Sequence, residues 1–293
     1  MAVKRWSEQE IAFIEASYPT RGPKWCAQQL GLSRSVVQKF GLSRGLKTDR
    51  RELTKHYPPK PTKPSSLELF EKFAVNQSPE SAYTLGFLWA DGWLFHTNRA
   101  YNIGVEILAD DLRNLSETFS GLLTGKPQFR QREGRREQGA LRFSNRPLFE
   151  FLVDHDYMDK TWTSAEKILA HIPENLHKFW FRGLMDGDGC FYAHEKRRLT
   201  QASIASGFEQ NWRFIETIWR KLGIDTYTIS RSESRMGNKS SEIRMAKGAN
   251  IIKWGAFLYG GFGFDGIGLR RKFEKFQQIV DLIARERPQI FLN

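Results

Sequence analysis

The chain has 293 residues, 40% hydrophobic and 13% aromatic, which excludes a disordered chain and suffices for two or three domains with real cores. Lysine and arginine outnumber acids 45 to 33, a net charge of +12 that points to a polyanionic partner, nucleic acid first. The two cysteines, Cys26 and Cys190, show no CxxC or Cys/His clustering, which argues against a disulfide framework or zinc site and fits a reducing cytoplasm; no signal peptide or long apolar span is present.

Residues 1–46 are predicted as three short helices. Ser7 with Glu10 three residues on, ahead of Ile11, Phe13 and Ile14, is a capping-box start. Pro23 opens a second helix through Leu30, closed by Gly31, and Ser33 caps a third from Arg34 to Phe40. Helix, short helix, turn and a further helix carrying Arg34, Ser35, Gln38 and Lys39 is the layout of a helix-turn-helix DNA-binding module. The alternative is a small three-helix scaffold with a solvated basic face. Residues 1–66 hold 13 basic and 5 acidic side chains, 13 − 5 = +8 of the net charge. Residues 47–66, with Pro58, Pro59, Pro61 and Pro64 among Lys, Arg, Thr and Ser, are expected to form an extended linker.

Beyond it, two stretches match. Leu85-Gly86-Phe87-Leu88-Trp89-Ala90-Asp91-Gly92 and Arg182-Gly183-Leu184-Met185-Asp186-Gly187-Asp188-Gly189 each space small residues i, i+4 and end in Asp-Gly. Helices carrying them can approach closely through Gly86, Ala90, Gly183 and Gly187, with Asp91 beside Asp188. After Asp91, strands are expected at 93–99 and 100–108, a helix from Asp110 with Leu112, Leu115, Phe119 and Leu122, strands at 126–132 and 140–143, and a helix at 147–153. After Asp188 the order recurs: strands at 190–196 and 199–205, a helix at 209–222, strands at 225–231 and 242–245, and a helix at 249–258. The aspartates lie 188 − 91 = 97 residues apart. The expected class is α+β: two pseudo-symmetric αββαββα repeats, residues 67–172 and 173–293.

Two carboxylates a few ångström apart, each at the negative end of a helix dipole, repel unless a cation sits between them. Magnesium meets that need through hard oxygen ligands while retaining waters and taking substrate phosphate oxygens. The plainer alternative is an Asp-Gly helix end chosen for turn geometry; two copies in matched context favour metal-assisted phosphodiester hydrolysis.

Over residues 80–285 the chain resembles the LAGLIDADG family of homing endonucleases, in a single-chain, two-repeat form. The copy ending at Asp188 is the more specific match; in the other, Trp89 stands where an acid matching Asp186 is usual. Asp186 is therefore expected to be structural and the last acid of each motif catalytic. The resemblance implies metal ligation at Asp91 and Asp188, with Ala90 and Gly187 beside them, by Mg²⁺ or Mn²⁺, Ca²⁺ being a non-catalytic substitute. It also implies a basic catalytic residue late in each repeat: Lys160 in the first, Arg271 or Lys272 in the second.

The two four-stranded sheets are expected to form a β-saddle in the DNA major groove. Gln128, Arg130, Arg132 and Arg142, and Lys196, Arg198, Gln201, Ser203 and Arg244, are the candidate contacts, while the turns at 132–136 and 231–239, Arg231 included, are suited to phosphates. The expectation is a magnesium-dependent, site-specific double-strand DNA endonuclease, a monomer with a long specific target that needs no membrane or obligate protein partner; the family resemblance implies cleavage across the minor groove and an intron- or phage-type origin. An intein origin is disfavoured by the chain ends at Met1 and Asn293. The alternatives are a maturase or transcription regulator of the same fold that binds without cutting.

Overall fold

The computed structural model describes residues 6–49, 66–97, 100–119, 121–131, 133–134 and 136–286. The chain divides into two compact units, Met1–Lys63 and Pro64–Asn293. No helix among the described residues is long and apolar enough to cross a membrane.

In the first unit, α1 (Glu8–Gln29) begins with the expected capping box: the Ser7 hydroxyl accepts the Glu10 amide at 3.2 Å while the Ser7 amide donates to the Glu10 carboxylate at 3.0 Å. The helix breaks at Gly22, whose φ of 76° lies between Pro19 and Pro23, so it is two helical segments in space. In α2 (Arg34–Ser43) Ser33 has the extended backbone of an N-cap, but its hydroxyl meets Ser35 rather than a helix amide. Ile14, Tyr18, Cys26, Ala27, Val37 and Phe40 form the core, and Gly41 leaves room for the Tyr18 ring against α2. Arg34, Ser35, Gln38 and Lys39 are all exposed. Most of the Pro-rich linker, 50–65, lies outside the described residues.

The second unit opens with α3 (Ser66–Ala74) and then writes one pattern twice. The first copy runs α4 (Pro79–Asp91), β1 (Gly92–Thr97), β2 (Ala100–Leu108), α5 (Ala109–Asn114), β3 (Gln128–Arg130), β4 (Gln138–Ser144), α6 (Arg146–Asp154) and α7 (Glu166–His171). The second runs α8 (His177–Asp188), β5 (Gly189–His194), β6 (Leu199–Gly207), α9 (Arg213–Lys221), β7 (Thr228–Glu233), β8 (Lys239–Met245), α10 (Gly248–Tyr259) and α11 (Arg270–Glu286). Each repeat holds a four-stranded antiparallel sheet, ordered β1-β2-β4-β3 and β5-β6-β8-β7. The class is α+β with two αββαββα repeats, as expected.

Period-two alternation decides the sheet faces. Ile103, Val105, Leu141 and Phe143 turn to the core in one sheet, and Phe191, Ala202, Ile204, Ile243 and Met245 in the other. Some boundaries differ from the sequence expectation. The helix at Asp110 ends at Asn114 and continues as turns, although Leu115, Phe119 and Leu122 stay buried. Strand β3 spans three residues, since Pro127 just before it has no amide to donate. Helix α9 starts at Arg213, because 209–212 turn to bring Gln210 and Trp212 inward.

Helices α4 and α8 join the repeats, backbone on backbone. A methyl group at Gly86 would strike the Trp180 carbonyl, and one at Gly183 would strike the Tyr83 carbonyl and come within 2.6 Å of the Phe87 amide nitrogen. Such contact is open only to residues without a β-carbon.

Candidate active site at the paired helix ends

The close crossing of α4 and α8 brings their C-terminal ends together. A β-carbon at Gly187 would touch Ala90 and lie 2.9 Å from Asp91 Oδ2, which places the Asp91 carboxylate against the last turn of α8. Asp91 and Asp188 are both half-buried, and each repeat begins its first strand at the glycine that follows, Gly92 or Gly189. Burial and then the Asp91 charge push the Asp188 carboxyl above the usual carboxylate range, and burial raises Asp91. Lys160 and Lys272 pull both back down.

Lys160 donates to the carbonyl oxygens of Ala90 at 2.8 Å, Gly92 at 2.7 Å and Leu88 at 3.3 Å, so its ammonium caps the end of α4. Lys272, 8% exposed, donates likewise to Gly189 and, at 3.5 Å, to Met185 at the end of α8. These are matched positions in the two repeats. Burial lowers the pKa of both lysines, and the nearby carboxylates, Asp188 and Asp91 for Lys160 and Asp186 for Lys272, act in the opposite direction. Of the two basic candidates in the second repeat, Lys272 occupies the place equivalent to Lys160. Arg271 instead forms a bidentate ion pair with Asp111, Nε and Nη2 each 2.6 Å from a carboxylate oxygen.

Asp186 is 2% exposed and faces inward. Its Oδ2 accepts the Tyr83 hydroxyl at 2.8 Å and the Leu269 amide at 2.7 Å, and burial pushes its carboxyl up to about 6. Trp89, at the matched position, packs on Tyr157, Trp180 and Phe214. Arg182, fully buried, donates twice to the Leu258 carbonyl, pairs with Asp265 at 2.5 Å and reaches the Ile267 carbonyl at 2.9 Å. Asp186 and Arg182 therefore pin the segment 258–269, with its left-handed glycines 260, 261, 266 and 268, that delivers Lys272.

Two clefts of about 230 Å³ flank the helix ends. One is lined by Asp188, Lys160, Thr161, Ser206, Gln210 and Trp212, the other by Asp91, Glu106, Asp111, Asp186, Leu269 and Arg271. Asp111 and Gln210 carried no motif: an aspartate in a first helical turn is ordinary, and a glutamine after a strand signals nothing. Gln210 is held by the Ser206 hydroxyl at 2.8 Å and by the carbonyls of Asn211 and Lys160.

Two half-buried carboxylates at helix ends, with the ammonium groups of half-buried Lys160 and buried Lys272 beside them, suit a hard cation that completes its shell with water and phosphate oxygens. No cluster of three or more His, Cys, Asp or Glu among the described residues offers a closed metal cage. The Ala90 carbonyl is already engaged by Lys160.

The outer face of the first sheet carries Gln128, Arg130 and Arg142; Arg142 donates to Asn102 at 2.9 Å and stacks 5.8 Å from the centre of Trp93, whose ring covers Gly104. The second carries Gln201, Ser203 and Arg244, but Ser203 is 5% exposed between Cys190 and Arg244. Arg231 shares the opposite face with Ile229, its Nε donating to the Phe208 carbonyl at 3.0 Å. Lys196 and Arg198 lie in the β5–β6 turn, where Arg198 is left-handed and paired with Glu286. Arg132 lies outside the described residues.

No protein-family model matches the chain, and no curated protein does. Among solved structures the chain is similar to meganuclease I-SmaMI bound to uncleavable DNA, at 15% identity and a TM-score of 0.46 over 73% of this chain and 92% of that one. It is similar to LAGLIDADG meganuclease I-AabMI bound to uncleaved DNA, at 13% and 0.45 over 72% and 92%. It is also similar to homing endonuclease I-WcaI bound to its DNA recognition sequence, at 10% and 0.49 over 76% and 96%.

Proposed function

We propose that this chain is a site-specific double-strand DNA endonuclease, acting as a monomer, that hydrolyses phosphodiesters with Mg²⁺ or Mn²⁺ held by Asp91 and Asp188. The observation that carries this reading is the pairing of those carboxylates at adjoining helix ends, each helix capped by a lysine from the end of its own repeat, half-buried Lys160 and buried Lys272. Metal ions there would orient an attacking water and stabilise the leaving oxygen. Lys160 and Lys272 hold the helix ends in place and set positive charge beside a site that would otherwise repel phosphate.

The outer sheet faces supply recognition. Gln128, Arg130, Arg142, Gln201 and Arg244 are the side chains suited to base edges, Arg and Gln being the types that bind guanine and adenine in bidentate fashion. Lys196 and Arg198 in their turn, and Arg231 behind the sheet edge, are suited to phosphates. Arg34, Ser35, Gln38 and Lys39 extend the footprint from the first unit as a helix-turn-helix contact. Ca²⁺ would support binding without cleavage.

The test is a selection for cleaved molecules from a DNA library that includes the sequence flanking the gene, with and without Mg²⁺. Cleavage at one long site, lost in Asp188→Asn while binding persists, is the expected result. Specific binding with no cleavage in Mg²⁺ or Mn²⁺ would replace this reading with that of a non-cleaving regulator or maturase.

A further inference from the structure

The two clefts share a plan and differ at one matched place. Asp111 and Gln210 lie six residues beyond Val105 and Ile204, the strand partners of the helix-end glycines Gly92 and Gly189 (111 − 105 = 210 − 204 = 6). In the first cleft Asp111 takes two N–H groups of Arg271. In the second, the uncharged Gln210 bonds among the described residues to Ser206 and to backbone carbonyls, and the residue matching Arg271 is Asp159, exposed and just before Lys160. The first cleft thus sets Asp111, Asp186 and Glu106 beside Asp91, with Arg271 neutralised; the second sets Lys160 beside Asp188 with no further carboxylate among the described residues of its lining. A guanidinium already paired with a carboxylate attracts a phosphate weakly, and the added acids oppose the approach of a DNA strand.

Resting on the endonuclease reading above, we propose that the Asp111–Arg271 pair makes the Asp91 cleft the slower of the two, so that the strands are cut in a fixed order and a nicked duplex accumulates. Asp111 is a positioning residue here: it acts by holding and neutralising Arg271. The first cut should outpace the second by about tenfold or more, the effect of one modest electrostatic difference on a barrier.

The experiment follows a supercoiled plasmid bearing the selected site through nicked circle to linear form, with strand assignment by primer extension, for wild type, Asp111→Gln and Gln210→Asp. Wild type should always nick the same strand first. Asp111→Gln should accelerate the second cut and bring the two rates within about twofold, and Gln210→Asp should slow the first. The ratio is taken within one molecule, so a general folding defect leaves it unchanged. A second readout needs no catalysis: in EDTA, Asp111→Gln should steepen the salt dependence of DNA binding by about one phosphate contact as Arg271 is freed. Equal rates in wild type, an unchanged ratio and salt slope in Asp111→Gln, or a further slowing of the second cut would overturn the inference while leaving an endonuclease. No nick and no linear product would overturn the endonuclease reading itself.

Discussion

Lys160 and Lys272 make the same contact on the two halves of one helix pair, each placing its ammonium on the carbonyls that its own repeat's first helix leaves open. Cations at both negative helix ends offset the repulsion of Asp91 and Asp188. Replacing either lysine with Met should lower cleavage by about 100-fold or more, as loss of a preorganised charge at a reacting phosphate does. It should also lower stability by about 1.5–3 kcal/mol, the range for hydrogen bonds from a charged donor. Cleavage rates and denaturant unfolding check both; a Lys272→Met enzyme of normal activity would remove Lys272 from the site.

Acid pH should stabilise the metal-free protein. The carboxyls of Asp188 and Asp186, the latter at about 6, titrate above the usual carboxylate range because they are withdrawn from water. The folded chain therefore binds protons that the unfolded chain releases, and their stabilising effect fades as pH rises through the folded values. Melting temperature in EDTA should fall between pH 5 and pH 7.5, less steeply in Asp188→Asn, and Mg²⁺ should raise it more at the higher pH. A flat wild-type profile would contradict this account.

Gly183→Ala should destabilise by more than the about 1–3 kcal/mol of ordinary overpacking, because the new methyl meets backbone that cannot swing aside. Gly263, which has no described residue within 4 Å of an added β-carbon, is the control, and its Ala variant should unfold at the wild-type temperature.

Asp265→Ala leaves the Arg182 charge buried without its carboxylate; because that carboxylate is 39% exposed, the cost should fall below the about 3–5 kcal/mol of a fully buried pair. Cleavage should fall further than stability explains, because segment 258–269 delivers Lys272. Thermal melts alongside single-turnover rates measured well below the melting temperature separate the two effects.

Deleting residues 1–66 removes 13 basic side chains and should weaken DNA binding while flattening its salt dependence. Titrations at several salt concentrations measure this, and unchanged affinity and slope would exclude the first unit from the footprint.

The parts of this molecule visible in its sequence are those with local causes. Gly86, Ala90, Gly183 and Gly187 advertise a close helix pair because few other uses of that spacing exist, and β2, predicted at 100–108, is observed over those residues. Helix α11 was missed: a glycine-bearing segment breaks the repeat register before it, and its first turn, Arg270-Arg271-Lys272, shows only as charge. The choice between Arg271 and Lys272 needed the fold, since adjacent helical residues point about 100° apart. Asp111 finds Arg271 across 160 residues and Arg182 finds Asp265 across 83, pairings that no local pattern encodes.

Because main chain touches main chain at Gly86 and Gly183, the spacing of the two helices that carry Asp91 and Asp188 does not depend on any side-chain rotamer between them. Mechanically, the helix pair is an axle and the two sheets are vanes mounted on it. Substitutions on the outer faces of the vanes therefore leave the spacing at the axle unchanged.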